Sequence, residues 1–213
     1  MKVLSKRNVV VLVLFLASIG FAQTTTIDSG NQLKLGLKAG LNLSNIYDKQ
    51  NQEYVADNKA GVFGGVYLSI PLGKSIGFQP EILYSQKGFK GSGNVLGVDY
   101  DFSRTSNFID IPLQIQIKPI EFVTILAGPQ FSYLLDTKNE FNGSTDTVTE
   151  DNINSENYKK NILGFVLGAD FNLSHFVITT RAGWDISSSD ANGNDSTPRY
   201  KNRVLQLGLG YTF

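Results

Sequence analysis

Residues 33–43 read Leu33-Lys34-Leu35-Gly36-Leu37-Lys38-Ala39-Gly40-Leu41-Asn42-Leu43. Odd positions are leucine or alanine, and even positions are lysine, glycine or asparagine. A repeat of two is the mark of a β-strand whose faces meet different surroundings. The same alternation returns at about 60–70, 76–84, 109–117, 123–133, 163–173, 176–186 and 203–213. Eight strands are therefore expected, and no 3.6-residue period competes with them. Each reaches the roughly 9–11 residues that a tilted strand needs to cross a bilayer.

The two faces differ in charge. Across the eight segments the more apolar face has 46 positions, and Arg203 is the one charged residue among them, where the chain-wide 18% would place about 8. The opposite face has 38 positions with 11 glycines and seven charges: Lys34, Lys38, Glu81, Asp110, Asp170, Arg181 and Asp185. A water-soluble sandwich sets long polar side chains on its outside. Here the polar face is small and glycine-rich, as a crowded lumen requires, so the apolar face is assigned to lipid.

Aromatics stand near segment ends on the apolar face, where interfacial girdles belong: Phe78, Tyr84, Phe131, Tyr133, Phe171, Phe176, Trp184, Tyr211 and Phe213. Connections at about 44–59, 85–108, 134–162 and 187–202 are long and polar, whereas those at 71–75, 118–122 and 174–175 have five residues or fewer. An even strand number with long loops at one end predicts an all-β fold: an eight-stranded antiparallel up-and-down transmembrane β-barrel of the cell outer membrane, with its termini in the periplasm. Lipid offers no hydrogen bonds to a free edge, so the sheet must close. Pro80 and Pro129 each remove a ladder donor and predict a bulge or a local break.

The N-terminus carries an export address. Lys2, Lys6 and Arg7 precede the apolar run 9–16, and Gly20-Phe21-Ala22 puts small residues before Gln23. That pattern predicts a signal peptide over 1–22 and a barrel domain over 23–213. Removing 1–22 takes away three positive charges and leaves a net charge of −3. The whole chain has 213 residues, 19 basic and 19 acidic side chains, one histidine and no cysteine. No charge excess suits nucleic acid, and no ligand set suits a transition-metal cluster. No cofactor is expected.

The chain resembles the PorT-like outer-membrane β-barrel proteins of Bacteroidota. The likeness is carried by Gly36-Leu37-Lys38-Ala39-Gly40-Leu41-Asn42-Leu43-Ser44, by Phe78-Gln79-Pro80-Glu81-Ile82-Leu83-Tyr84-Ser85-Gln86-Lys87-Gly88, by Ile109-Asp110-Ile111-Pro112-Leu113, and by Ala127-Gly128-Pro129. Asp110 stands where the family often has Glu. The closing Gln206-Leu207-Gly208-Leu209-Gly210-Tyr211-Thr212-Phe213 looks like the C-terminal signal read by the barrel-assembly machinery, through Gln206, Gly208, Tyr211 and Phe213. The resemblance implies an eight-stranded outer-membrane barrel; the founding member is associated with protein secretion, and many relatives have no assigned role.

Lys38, Glu81, Asp110, Asp170, Arg181 and Asp185 form the candidate lumenal network, read as cross-strand ion pairing, or as a relay or small-solute constriction. Because unpaired buried charge is costly, Arg181 should pair with Glu81 or Asp110. His175, in a two-residue turn, is too poorly surrounded to build a hydrolase site. The 190–195 stretch misses the spacing of a calcium loop. The acidic 134–162 connection is a candidate partner-binding or simply hydrated loop. The expected function is non-enzymatic: an envelope-structural or loop-mediated partner-binding role, with a secretion accessory as its narrower form and a narrow channel or transporter as the alternative. Expected partners are outer-membrane lipid, lipopolysaccharide, the assembly machinery and a protein held by the outer loops.

Overall fold

The computed structural model describes residues 32–47, 55–95, 98–142, 147–151, 160–187 and 201–213. Residues 1–22 and the 190–195 stretch lie outside them. The strands are β1 Lys34–Tyr47, β2 Val55–Pro71, β3 Ile76–Val95, β4 Val98–Ile120, β5 Val123–Asn142, β6 Thr147–Asp151, β7 Asn161–Leu173, β8 Phe176–Asp185 and β9 Lys201–Thr212. All pairings are antiparallel. β9 returns to β1, with Leu207 opposite Leu41, and β4 pairs with β5, so eight strands close into a barrel. β6 pairs with β5 alone, beyond that ring.

The barrel is inside out relative to a water-soluble domain. Leu41, Leu207 and Leu209 are 64, 62 and 66% exposed, whereas Lys38, Glu81 and Arg181 are 2–3% exposed. Charge and polar groups go inward and leucine outward, which is favourable only where hydrocarbon replaces water. Tyr84, Phe131, Tyr133, Phe165 and Trp184 stand outward toward one end. Phe171, Phe176, Tyr211 and Phe213 do so at the end where β1 begins and β9 finishes, and there Phe176 and Phe213 each meet Tyr211 edge to face at 5.4 Å. Phe213 N donates to Leu35 O at 2.9 Å, tying the last residue to β1.

Several strands outrun the expected segments, β2 with 17 residues among them, and three do so most. β3, β4 and β5 have 20, 23 and 20 residues. The stretch 85–108, expected as a loop, instead continues the β3–β4 ladder from Ser85↔Phe108 to Val95↔Val98. Beyond the hydrocarbon both faces meet polar surroundings, so the two-residue contrast fades while backbone pairing persists. A small apolar knot holds this extension: Phe89 and Ile46 are buried together with Ala56 and Phe102 beside them, and the two phenyl rings lie edge to face at 5.7 Å.

The prolines cause local breaks without bulges. β4–β5 pairing stops after Pro112↔Gln130 and resumes at Ile115↔Ala127 in the same register, across Pro129. β2–β3 pairing likewise skips Pro80 without a shift. The register shifts fall instead at Asn58/Phe63, Asn107/Phe108 and Ile117/Ile120.

Candidate functional site: the barrel lumen

Glu81, on β3, is the hub of the lumen. Its Oε1 accepts from Lys38 Nζ of β1 at 2.9 Å, from Gln79 Nε2 at 2.6 Å and from Arg181 Nη2 of β8 at 2.7 Å; its Oε2 accepts from Arg181 Nη1 at 2.5 Å. The guanidinium and carboxylate thus meet as a two-pronged fork, the strongest geometry available to such a pair. Asp170 of β7 adds its Oδ2 at 3.9 Å from Lys38 Nζ. Gln116 Nε2 donates to Gln79 Oε1 at 2.5 Å, and Ser69 Oγ donates to Gln116 Oε1 at 2.9 Å. One buried network therefore links β1, β2, β3, β4, β7 and β8.

The other predicted residues are held separately. Asp110 Oδ1 accepts from Lys87 Nζ at 2.9 Å, and Lys87 also donates to Ser132 Oγ at 3.2 Å. Asp185 accepts from Asn202 N and Nδ2, at 3.1 and 2.6 Å. Gln206 Nε2 donates to Asn42 Oδ1 at 2.9 Å, and Asn42 Nδ2 donates onward to Ser85 Oγ and Gln86 O. Of the predicted six, Lys38, Asp170 and Arg181 gather around Glu81, while Asp110 and Asp185 sit with partners the sequence does not single out. Lys87 and Arg104 are the buried charged residues that the expected segments missed, Arg104 Nε donating to Asn139 Oδ1 at 2.7 Å. Ser85 and Lys87 keep the inward phase of Glu81 past Tyr84, the last residue of the expected segment 76–84.

Aromatic rings occupy much of the remaining interior. Phe63 lies over Gly40 and Gly208, where an added Cβ would come within 2.7 Å of the ring, and Tyr67 covers Gly36 at 2.2 Å. Both rings are buried, and the Lys38 ammonium sits 4.5 Å from the Tyr67 centroid. Wall glycines thus provide the space that lets a ring lie flat inside a narrow barrel. Leu83, Leu126 and Val166 are also buried in the lumen. Among the described residues six polar atoms there have no hydrogen-bond partner: Asp110 Oδ2, both amide atoms of Gln114, Asp170 Oδ1, Thr179 Oγ1 and Arg181 Nε.

His175 is exposed in the turn after β7, with Ser174 beside it at φ 58°. Its Nδ1 lies 2.8 Å from Thr212 O and its ring stacks on Tyr211. Gly208 faces the lumen, whereas Tyr211 and Phe213 face outward.

A family model described as Outer membrane protein beta-barrel domain matches residues 21–191. Similar solved structures include Ail, the attachment invasion locus protein of Yersinia pestis, at 15% identity, covering 84% of this chain and 98% of that one with a TM-score of 0.44. OprG of Pseudomonas aeruginosa is 12% identical, with 86% and 97% covered and a TM-score of 0.44. Neisserial surface protein A is 8% identical, with 86% and 100% covered and a TM-score of 0.44. No curated protein matches.

Proposed function

Since this chain belongs to the outer membrane protein β-barrel domain family, we propose that it is a non-enzymatic scaffold of the outer membrane that presents an extended sheet to a protein partner. The observation that carries this reading is the length of β3, β4 and β5, which run past the apolar band and are joined there by β6. Lys90 and Asp101 are exposed on that extension. The filled lumen supports a bracing role for Lys38, Glu81, Asp170 and Arg181, because forked ion pairs across strands hold a small barrel closed.

In the same reading residues 1–22 are an export signal, both termini lie in the periplasm, and Gln206, Gly208, Tyr211 and Phe213 engage the assembly machinery. The PorT-like likeness makes secretion the process to examine first. The chain has no cysteine, so a single one introduced at Lys90 reports orientation cleanly. A membrane-impermeant maleimide should label Lys90→Cys in intact cells and leave Lys74→Cys, in the tight turn, unlabelled. A photo-crosslinker at Lys90 should then give one discrete adduct, identified by mass spectrometry; no adduct in cells that label correctly would remove the partner-binding role.

The channel reading has one observation in its favour, the six lumenal polar atoms that have no hydrogen-bond partner among the described residues. Such atoms call for water, and a string of waters is a path. Planar-bilayer recording separates the two readings. The scaffold gives no discrete steps, while a channel gives steps that change on Glu81→Gln.

A further inference from the structure

We propose that the outward rim of β8, β9 and β1 is a binding site for the phosphorylated headgroup of an outer-leaflet glycolipid of the lipid A kind. Arg203 is the one charged residue on the apolar face of the eight segments. Its side chain is exposed and, among the described residues, has neither a hydrogen bond nor an ion pair. It stands opposite Trp184 on β8 and Asn45 on β1. These residues line a cavity of about 310 Å³ together with Leu43, Leu205 and Asn58.

A guanidinium at the edge of hydrocarbon needs an anion, and the described residues supply none. A phosphate answers it in the two-pronged geometry that arginine favours. The rest of the cavity selects among phosphate carriers. Leu43 and Leu205 continue the groove into the apolar band, where an acyl chain lies. Trp184, 41% exposed, offers an indole face for the C–H side of a sugar ring, and Asn58 is exposed at the polar end. Trp184 and Arg203 stand opposite each other at one level, with Leu43 and Leu205 paired one step deeper, so sugar and phosphate sit side by side above the acyl chains; that is the arrangement of a phosphorylated glycolipid, whose acyl chains hang from the sugar itself, and not of a glycerophospholipid. The proposal rests on the orientation proposed above, which puts this rim in the outer leaflet.

Trp184 is the chain's single tryptophan, so its fluorescence reports directly on the site. The full barrel, folded in zwitterionic micelles, is titrated with bisphosphorylated lipid A, with dephosphorylated lipid A and with phosphatidylglycerol. Bisphosphorylated lipid A should change Trp184 emission saturably at one lipid per barrel. Arg203→Gln should weaken it at least tenfold, and Arg203→Lys should restore part of the loss. The idea is overturned if dephosphorylated lipid A or phosphatidylglycerol binds equally well, or if Arg203→Gln leaves the titration unchanged. Heat-modified gel mobility verifies that each variant is folded. Micelles have no sidedness, so this result is independent of the maleimide test of orientation.

Discussion

Arg181 and Glu81, one hundred positions apart in the chain, are joined by two hydrogen bonds of 2.5 and 2.7 Å across the lumen. Removing one partner leaves the other buried without its forked ion pair. Glu81→Gln leaves Arg181 and Lys38 with Asp170 as the one nearby carboxylate, and should cost about 3–5 kcal/mol. Replacing both ends, Glu81→Met with Arg181→Met, should cost less than Glu81→Gln alone, because Lys38 keeps Asp170. Equilibrium urea unfolding from lipid vesicles measures both; equal losses would refute the bracing role.

Gly36 exists for Tyr67. A Cβ at position 36 would sit 2.2–2.5 Å from the Tyr67 ring, so Gly36→Ala should destabilise by about 1–3 kcal/mol through overpacking. Tyr67→Leu loses the contact with Thr212 Oγ1 and is destabilising by itself. The two together should lose less than the sum of the singles, a coupling that a double-mutant cycle reads.

The outward leucines face lipid, which reverses the usual rule for surface charge. Leu207→Arg, near the middle of the apolar band, should cost about 2–4 kcal/mol in bilayers. A position 62% exposed in a water-soluble protein would tolerate the same change nearly for free. Vesicle unfolding of this variant against the parent decides between the two environments.

Phe89 should behave as the keystone of the extension and of nothing else. Its truncation to alanine removes a buried ring from the cluster with Ile46 and Phe102, a change of about 3–5 kcal/mol in a folded core. Hydrogen exchange should show lost protection at 90–103, with 36–43 and 204–211 unaffected. Loss of protection throughout the barrel would mean that the extension and the barrel unfold as one unit.

The barrel was legible because hydrocarbon and lumen impose opposite demands on neighbouring residues of one strand, and that contrast is written directly into 33–43 and its seven counterparts. Where the contrast ends, so does legibility. Strand β3 continues through Ser85, Lys87 and Phe89, yet its outer half no longer alternates between leucine and glycine, so the pattern there suggests a loop. β6 went unseen for the same reason. The prolines were seen, but whether Pro129 shifts the register or only interrupts it depends on how neighbouring strands resume pairing.

By itself the sequence determined which face of each strand meets lipid, because burying Glu81 beside hydrocarbon or Leu207 in a polar lumen is prohibitively unfavourable at any register. It determined too that Lys38, Glu81, Asp110, Asp170, Arg181 and Asp185 point inward. Which of them touch was decided by the closed barrel alone. Contact across the lumen depends on strand stagger and ring closure, which bring β8 against β3 and set Lys87, not Arg181, beside Asp110. A two-residue repeat carries no record of those long-range offsets.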